Sequence, residues 1–224
     1  MFKQLLIASL CLLPALAFAG AALTDMETRW LRAAGPVLAY SQRIKLPIDI
    51  IVQPIARASD VPMAMGFQDG RCKLVLSLRG NPDAEKVLDK APEAERGVLL
   101  EAMAAHEVAH CWRYAQGAWH ELPAGFQDQA GQAPQASSDQ LIQNRREEGF
   151  ADLVALAWTR RHHLEHYERV YAWLATLRTE HSLAGGEHDT RAWVRLARDR
   201  SVFKDAPTPF QEAGSAWRQG LRDE

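Results

Sequence analysis

The sequence feature that most constrains the fold is the pentapeptide H-E-x-x-H at residues 106–110. It lies within residues 98–112, a run whose composition predicts an α-helix. Helical residues four apart share a face, so His106 and His110 can direct both imidazoles to one point, and Glu107 lies about a hundred degrees round the helix. Small apolar neighbours predict that this helix is buried, where such polar side chains need binding partners. The fold must therefore bring further polar groups to this helix.

Two imidazoles beside a carboxylate are typical of a zinc ion that activates water for hydrolysis. A third protein ligand is then needed, and the best candidate lies within residues 146–152, on a second predicted helix. Glu148 and Asp152 are four residues apart and share a face there, so one can bind the metal while the other orients a ligand histidine through its second ring nitrogen. Gly149 inside a helix is unfavourable by roughly 1 kcal/mol against alanine. It predicts the close approach of another backbone at that point.

The order H-E-x-x-H followed by E-x-x-A-D resembles the gluzincin metallopeptidases, above all the group that includes the CAAX-prenyl proteases and bacterial heat-shock membrane proteases. The resemblance covers about residues 98–158 and implies a zincin-like fold, with the H-E-x-x-H helix crossed by a glutamate-bearing helix. It implies one Zn²⁺ and assigns a role to each matching residue. The implied zinc ligands are His106, His110 and Glu148, with Glu107 as general base and Asp152 as the partner of a ligand histidine.

The resemblance also implies a histidine that stabilises the oxyanion, and His188, before a predicted helix, is the candidate. The family pattern has a proline after this histidine, whereas this chain has Asp189, which has a competing explanation as a helix cap. Tyr114 and Tyr167 are weaker candidates for the same role.

A second motif competes with the first. Residues 162–166, H-H-L-E-H, satisfy the inverted pattern H-x-x-E-H, with His162 and His166 as ligands and Glu165 as base. The neighbouring side chains are strongly charged, and no second carboxylate motif follows. Surface histidines at a helix end are the better interpretation.

The N-terminus predicts export. Lys3 precedes an apolar run over residues 5–16, and Ala17-Phe18-Ala19 is typical of a cleavage site before Gly20. The run is short for a membrane span, and no later stretch approaches that length. We therefore expect a signal peptide at residues 1–19 and a periplasmic or secreted single domain at residues 20–224, without an integral span. The prenylated or membrane-buried substrates of the resembled group are accordingly not carried over.

Two cysteines remain after export, Cys72 and Cys111. In an oxidising compartment they either form a disulfide or stay as two buried thiols, because spacing alone does not show how closely they approach. Cys111 adjoins His110, so its side chain leaves the helix in another direction and is a poor zinc ligand.

Periodicity and turn signals predict an α+β fold that is mostly helical, with a small sheet near the N-terminus. A capping box at residues 24–27 opens the first helix, which Gly35-Pro36 is expected to end or kink. Residues 117–140 form a candidate lid loop, with functionless flexibility as the alternative. The expected strands are residues 46–54 and 72–78, the second offered as the sheet edge that aligns substrate, and the expected helices are residues 83–90, 92–115, 139–161, 167–180, 189–198 and 208–218.

These observations predict an exported zinc peptidase acting on peptides or proteins. A zinc amidase acting on a non-protein amide and a non-catalytic zinc-binding domain are the alternatives. Glu107 argues against the last, since a structural site does not need a carboxylate beside its ligands. The net charge of −2 gives no indication of the basic surface that nucleic-acid binding requires, so no nucleic-acid partner is expected. Oligomeric state does not follow from the sequence.

Overall fold

The structure, a computed structural model, describes residues 22–57, 60–89, 91–118, 138–180 and 185–222. It has the predicted α+β class, with helices around one small sheet. The proposed signal peptide and residues 119–137 of the candidate lid lie outside the described residues. The elements are α1 (Asp25–Arg43), β1 (Ile48–Val52), β2 (Met63–Gln68), β3 (Arg71–Leu76), α2 (Asp83–Lys86), α3 (Glu93–Ala115), α4 (Ser138–His162), α5 (Tyr167–Glu180), α6 (Arg191–Leu196) and α7 (Pro209–Gly220), with short 3₁₀ turns at Leu164–His166 and Arg200–Val202.

The packing centres on α3 and α4, which lie directly against each other. On its other sides α3 contacts α1 and β2, while α4 also packs against α6 and α7. Both central helices contribute fully buried side chains to one continuous apolar cluster, including Leu99, Leu100, Leu153 and Leu156. Polar groups on these helices are therefore largely removed from water and need partners within the protein.

Helix α1 begins at the predicted capping box. The hydroxyl of Thr24 accepts a bond from the Glu27 N–H, and the Glu27 carboxylate accepts one from the Thr24 N–H. The helix does not end at Gly35-Pro36 but continues to Arg43. Trp30 and Val37, buried on either side of the proline, belong to the core that α1 forms with α3, and this packing outweighs the one backbone hydrogen bond that proline removes.

The sheet corrects one prediction. Its strand order is β1-β3-β2, with β1 parallel and β2 antiparallel to β3. The strand over residues 72–78 was expected at an edge, yet β3 is central and β2 is the edge strand that packs against α3. Strand β2 was not predicted because its sequence, M-A-M-G-F-Q, has no β-branched residue and no alternation of apolar and polar residues.

The exposed face of β3 is also smaller than expected. Residues 74–77 are all buried, which leaves only its first residues polar and accessible. Arg71 and Lys73 there pair with Asp49 of β1 at 2.6 and 2.7 Å. Strand β3 is hydrogen-bonded to a strand on each side, and α3 also packs against it.

The predicted helices are present with shifted ends, and the helix expected at residues 83–90 spans only Asp83–Lys86. Pro92 precedes the first residue of α3, and Gly117 follows its end in the left-handed region at a φ of 67°. Helix α5 has the predicted bounds, α6 is shorter than expected, and α7 continues to Gly220. None of the helices in the described part of the chain is long and apolar enough to cross a bilayer.

Cys72 and Cys111 form a disulfide, with their Cα atoms 5.7 Å apart. It ties β3 to α3 at the residue directly after His110. Both cysteines are fully buried in the apolar cluster. The bond therefore fixes the sheet against the helix that carries the H-E-x-x-H motif.

Gly149 is closely packed, as expected, but its neighbour is a side chain and not a crossing backbone. A Cβ at this position of α4 would lie 2.5 Å from Cδ2 of Trp193, which comes from α6. The indole also lies against Gly220 of α7 and donates its Nε1–H to the carbonyl of Trp217. The absent side chain at 149 thus makes room for a tryptophan that joins α4 to α6 and α7.

We expect Gly149→Ala to lower the free energy of unfolding by about 1–3 kcal/mol, because the methyl group would displace the Trp193 ring. The matched control is Gly97→Ala on the exposed side of α3, where a Cβ meets nothing within 4 Å. That change should raise the free energy of unfolding by about 0.5–1 kcal/mol through helix propensity. Urea denaturation of the two variants measures both effects, and a stabilised Gly149→Ala protein contradicts the packing argument.

Candidate metal centre

Helix α3 presents both motif histidines on the face that meets α4. The Nε2 atoms of His106 and His110 lie 3.1 Å apart, with their rings perpendicular. His110 is buried and His106 is half-buried at the floor of a cavity. The i, i+4 spacing on a packed helix therefore aims two imidazole nitrogens at one point.

Glu148 of α4 reaches the same point. Its Oε1 lies 3.3 Å from Nε2 of His110, and its Oε2 lies 3.3 Å from Nε2 of His106. One ligand atom from each of the three residues falls within 4.8 Å of the others, so the group could hold a metal ion. Within the described ranges it is the one group of three or more such side chains with this spacing.

Asp152 lies one helical turn after Glu148 and contacts the other side of the His106 ring. Its Oδ1 is 2.9 Å from Nδ1 of His106. An Nδ1–H that donates to this carboxylate leaves Nε2 of His106 as an acceptor facing Glu148, which is also an acceptor. Two acceptors at 3.3 Å need a cation between them, either a proton on the ring or a metal ion. The donor set therefore fits a bound metal ion.

The electrostatics agree with this geometry. Burial disfavours charge on His106, but the carboxylates of Glu148 and Asp152 outweigh it and raise the pKa of His106 to about 10. Burial would raise the pKa of Glu148, yet His106 and His110 hold it well below its usual range. The pKa of His110 is lowered, mainly by burial. Without a metal ion the site thus pairs two ionised carboxylates with a protonated His106 and a neutral His110, and a bound metal ion would take the place of the proton on Nε2 of His106.

Two further side chains, neither predicted from the sequence, hold Asp152 in place. Arg178 of α5 donates from Nε to Oδ2 at 2.8 Å and from a terminal nitrogen to Oδ1 at 2.6 Å. The same nitrogen lies 3.4 Å from Oε2 of Glu148, and Thr190 donates its hydroxyl to Oδ2 of Asp152. Burial would raise the pKa of Asp152, but the Arg178 guanidinium and His106 hold it well below the usual value.

A sequence signal for Arg178 did exist. It follows Val170 and Leu174 at intervals of four on α5, and all three are buried. A charged residue in phase with a buried apolar stripe indicates a buried partner of opposite charge. The position of that partner, on α4, is set by helix packing that the sequence of α5 does not contain.

We expect Arg178→Leu to lower the free energy of unfolding of the metal-free protein by about 3–5 kcal/mol, because it removes the guanidinium that makes a two-point contact with the buried carboxylate of Asp152. Arg178→Lys keeps the charge without the two-point contact and should lose less. Guanidinium denaturation compares the two proteins. If both variants lose little free energy of unfolding, and to the same extent, the buried ion pair between Arg178 and Asp152 is contradicted.

Glu107 lines the same cavity as the three candidate ligands without joining them. The backbone N–H of Met65, on edge strand β2, donates to its carboxylate. Burial raises the pKa of Glu107 to about 7, although neighbouring His106 lowers it in part. The carboxylate is thus held between α3 and β2, facing the space beside the metal ligands.

His188 is brought to the site, and the two tyrosines are not. Its Nε2 lies 3.7 Å from Oε2 of Glu148, and the ring lines the cavity with 38% of the side chain exposed. Tyr114 stacks on Phe67, and the buried Tyr167 donates its hydroxyl to the carbonyl of Ala197. Neither tyrosine lines the cavity.

The cavity above the cluster has a volume of about 140 Å³ and is mostly apolar apart from its polar floor. Edge strand β2 contributes Met63 and Ala64, and α5 contributes the larger side chains. An apolar cavity of about 150 Å³ holds one benzene ring, so this space fits a single bulky side chain. The α5 side chains are Val170, Trp173, Leu174 and Leu177.

The competing motif at residues 162–166 does not assemble. His162 ends α4, while Glu165 has 71% of its side chain exposed in the following 3₁₀ turn. His163 contacts Glu101 at 3.1 Å, and Glu165 lies 3.6 Å from His166. Within the described part of the chain, no metal-ligand group includes these residues.

No protein-family model matches this chain, and no curated protein and no solved structure matches it significantly.

Proposed function

We propose that this chain is an exported zinc-dependent peptidase of zincin-like fold. The observation that carries the proposal is the convergence of His106, His110 and Glu148 on one point, with Glu107 beside it in an apolar cavity. Two imidazoles and a carboxylate are the donors of catalytic zinc sites, which keep a further position open. A purely structural site would gain nothing from an acidic side chain beside its three ligands or from the adjoining cavity.

The proposed chemistry is addition of water across an amide bond. His106, His110 and Glu148 would hold a zinc ion, which as a Lewis acid would lower the pKa of bound water and polarise a carbonyl group. Glu107 takes a proton from the attacking water while the water oxygen forms a bond to the carbonyl carbon. When the carbon–nitrogen bond breaks, Glu107 returns that proton to the leaving amine. His188 donates a hydrogen bond to the carbonyl oxygen as negative charge develops there.

Asp152 and its two partners act through His106. The carboxylate holds the Nδ1–H of His106, so that Nε2 stays directed at the metal position. Arg178 and Thr190 in turn fix the carboxylate from α5 and from the start of α6. The chain thus supports one ligand through three further elements.

The proposed substrate is a peptide that lies along β2. This strand is the sheet edge beside the site, and two of its side chains line the cavity. Strand addition aligns an extended peptide through backbone hydrogen bonds, with alternate side chains entering pockets. In this proposal β2, and not the strand at residues 72–78 expected from the sequence, aligns the peptide substrate.

The proposal of export has two supports. The apolar run at residues 5–16 precedes a small-residue cleavage pattern. The Cys72–Cys111 disulfide belongs to the chemistry of an oxidising compartment, since cytosolic thiols are kept reduced.

Metal removal tests the proposed function. We expect the purified protein to contain one zinc ion per chain and to cleave members of a synthetic peptide library. Dialysis against a chelator should abolish cleavage, and stoichiometric zinc should restore it, because the ligands are held ready by the fold. Cleavage that persists in metal-free protein, or a zinc-loaded protein that cleaves no peptide, contradicts the proposal.

A further inference from the structure

A second cavity lies on the other side of α5. It has a volume of about 460 Å³ and is bounded by α5, by α2 with the segment that follows it, and by the first turns of α3. Its wall on α5 includes two small exposed residues, Ala172 and Thr176. Small side chains on adjacent turns leave a groove between α5 and the start of α3 that an extended chain can enter.

Two side chains of α5 line both cavities. Trp173 and Leu177, one turn apart on α5, line both the cavity at the metal centre and the second one. The indole Nε1–H of Trp173 donates to the carbonyl of Val87 at 3.1 Å, which anchors the ring to the segment after α2. A chain bound at the metal centre therefore has to cross only these two side chains to reach the second cavity.

The second cavity is predominantly apolar, with Lys86, Glu95, Arg169 and Glu180 at its rim. Arg169 forms an ion pair with Glu95, and Lys86 contacts Asp83 at 2.9 Å. These two pairs compensate three of the four rim charges, and the apolar wall formed by Val87, Leu99 and Leu177 sets the preference. This surface favours an uncharged, bulky side chain over an acidic or basic one.

We propose that the second cavity is a distal subsite, which binds a bulky apolar side chain of the same polypeptide whose amide bond lies at the metal centre. The inference rests on the proposed peptidase function and narrows its substrate class. A substrate that fills both cavities is an extended polypeptide with two apolar residues separated by several positions. An amino-acid amide or another small amide occupies only the first cavity and gains nothing from the second.

The test fills the second cavity from its exposed wall. Ala172→Trp and Thr176→Trp each place an indole in the groove at a position exposed to solvent, so the core is left intact. Glu168→Trp is the matched control, since this residue is exposed on the same helix and lines neither cavity. The probes are internally quenched synthetic decapeptides that carry leucine or serine at each position away from the cleaved bond.

We expect the wild type to prefer leucine over serine at one distal position by about tenfold or more in kcat/KM, the value of burying one such side chain. Ala172→Trp and Thr176→Trp should abolish this preference, and Glu168→Trp should keep it. Fluorescence anisotropy provides a second measurement without turnover. Zinc-loaded Glu107→Gln protein should bind a labelled leucine decapeptide about tenfold more tightly than the same protein carrying Ala172→Trp.

The outcomes separate the two proposals. A wild type that cleaves decapeptides without any distal preference, or a preference that survives both filled-groove variants, overturns the distal subsite and leaves the peptidase intact. A wild type that binds zinc but cleaves no decapeptide overturns the peptidase proposal and the subsite together.

Discussion

Replacement of Glu107 by glutamine is expected to reduce kcat for peptide cleavage by about 10²–10⁴-fold while zinc content stays at the wild-type level. Glutamine keeps the shape of the side chain and can still bond to the Met65 backbone, but it cannot accept a proton from water. The zinc ligands His106 and His110 are unchanged by the substitution. The measurement is single-turnover cleavage of a peptide substrate, with zinc determined on the same sample.

The matched control is Glu93→Gln, which alters an exposed carboxylate in the first turn of the same helix. It should leave both zinc content and kcat unchanged. If Glu107→Gln keeps most of the activity, the carboxylate is not the base. If the Glu107→Gln protein loses zinc as well as activity, Glu107 contributes to metal binding, and its assignment as a non-ligand is wrong.

The second large effect concerns two adjacent glutamates on α4. We expect Glu148→Ala to lower zinc affinity by more than about 100-fold, a larger loss than removal of a supporting side chain causes. Glu147→Ala should keep the affinity near that of the wild type. The difference arises because Glu148 is 3.3 Å from both imidazoles, whereas Glu147 accepts a hydrogen bond from Nε of Arg113 at 2.7 Å.

Competition with a chromophoric zinc chelator measures the two affinities, and circular dichroism shows that each variant is folded. An equal loss in both variants would falsify the assignment of Glu148 as the ligand. Full affinity in both would mean that the two histidines hold zinc without help from α4.

The sequence predicted the positions of the long helices because turn residues, caps and apolar periodicity are local signals. The capping box at Thr24 and the stop at Gly117 depend only on neighbouring residues, and both are present. The sheet was predicted less well. Strand β2 lacks β-branched residues, and the central position of β3 depends on its pairing with strands on both sides. Local composition contains neither fact.

In the candidate site, too, the sequence predicted the local features and missed the contacts between distant elements. The sequence predicted that His106 and His110 share a face, since that follows from helix periodicity alone. It also indicated Glu148 and Asp152 as a pair on one face of a second helix. It missed Arg178 and Thr190, which reach Asp152 from α5 and from the residue before α6. Contacts between elements far apart in the chain depend on helix packing, which short-range patterns do not specify.

The sequence by itself determined which chemical groups this protein carries and which of them share a helix face, because the backbone geometry of a helix fixes the direction of each side chain. Only the tertiary structure decided that Glu148 meets both histidines, that Gly149 accommodates Trp193, and that β2 is the edge beside the site. The physical reason is that these contacts arise from the burial of apolar faces across the whole chain. That burial selects one packing of α3 against α4, and the polar groups of the site are brought together as a consequence.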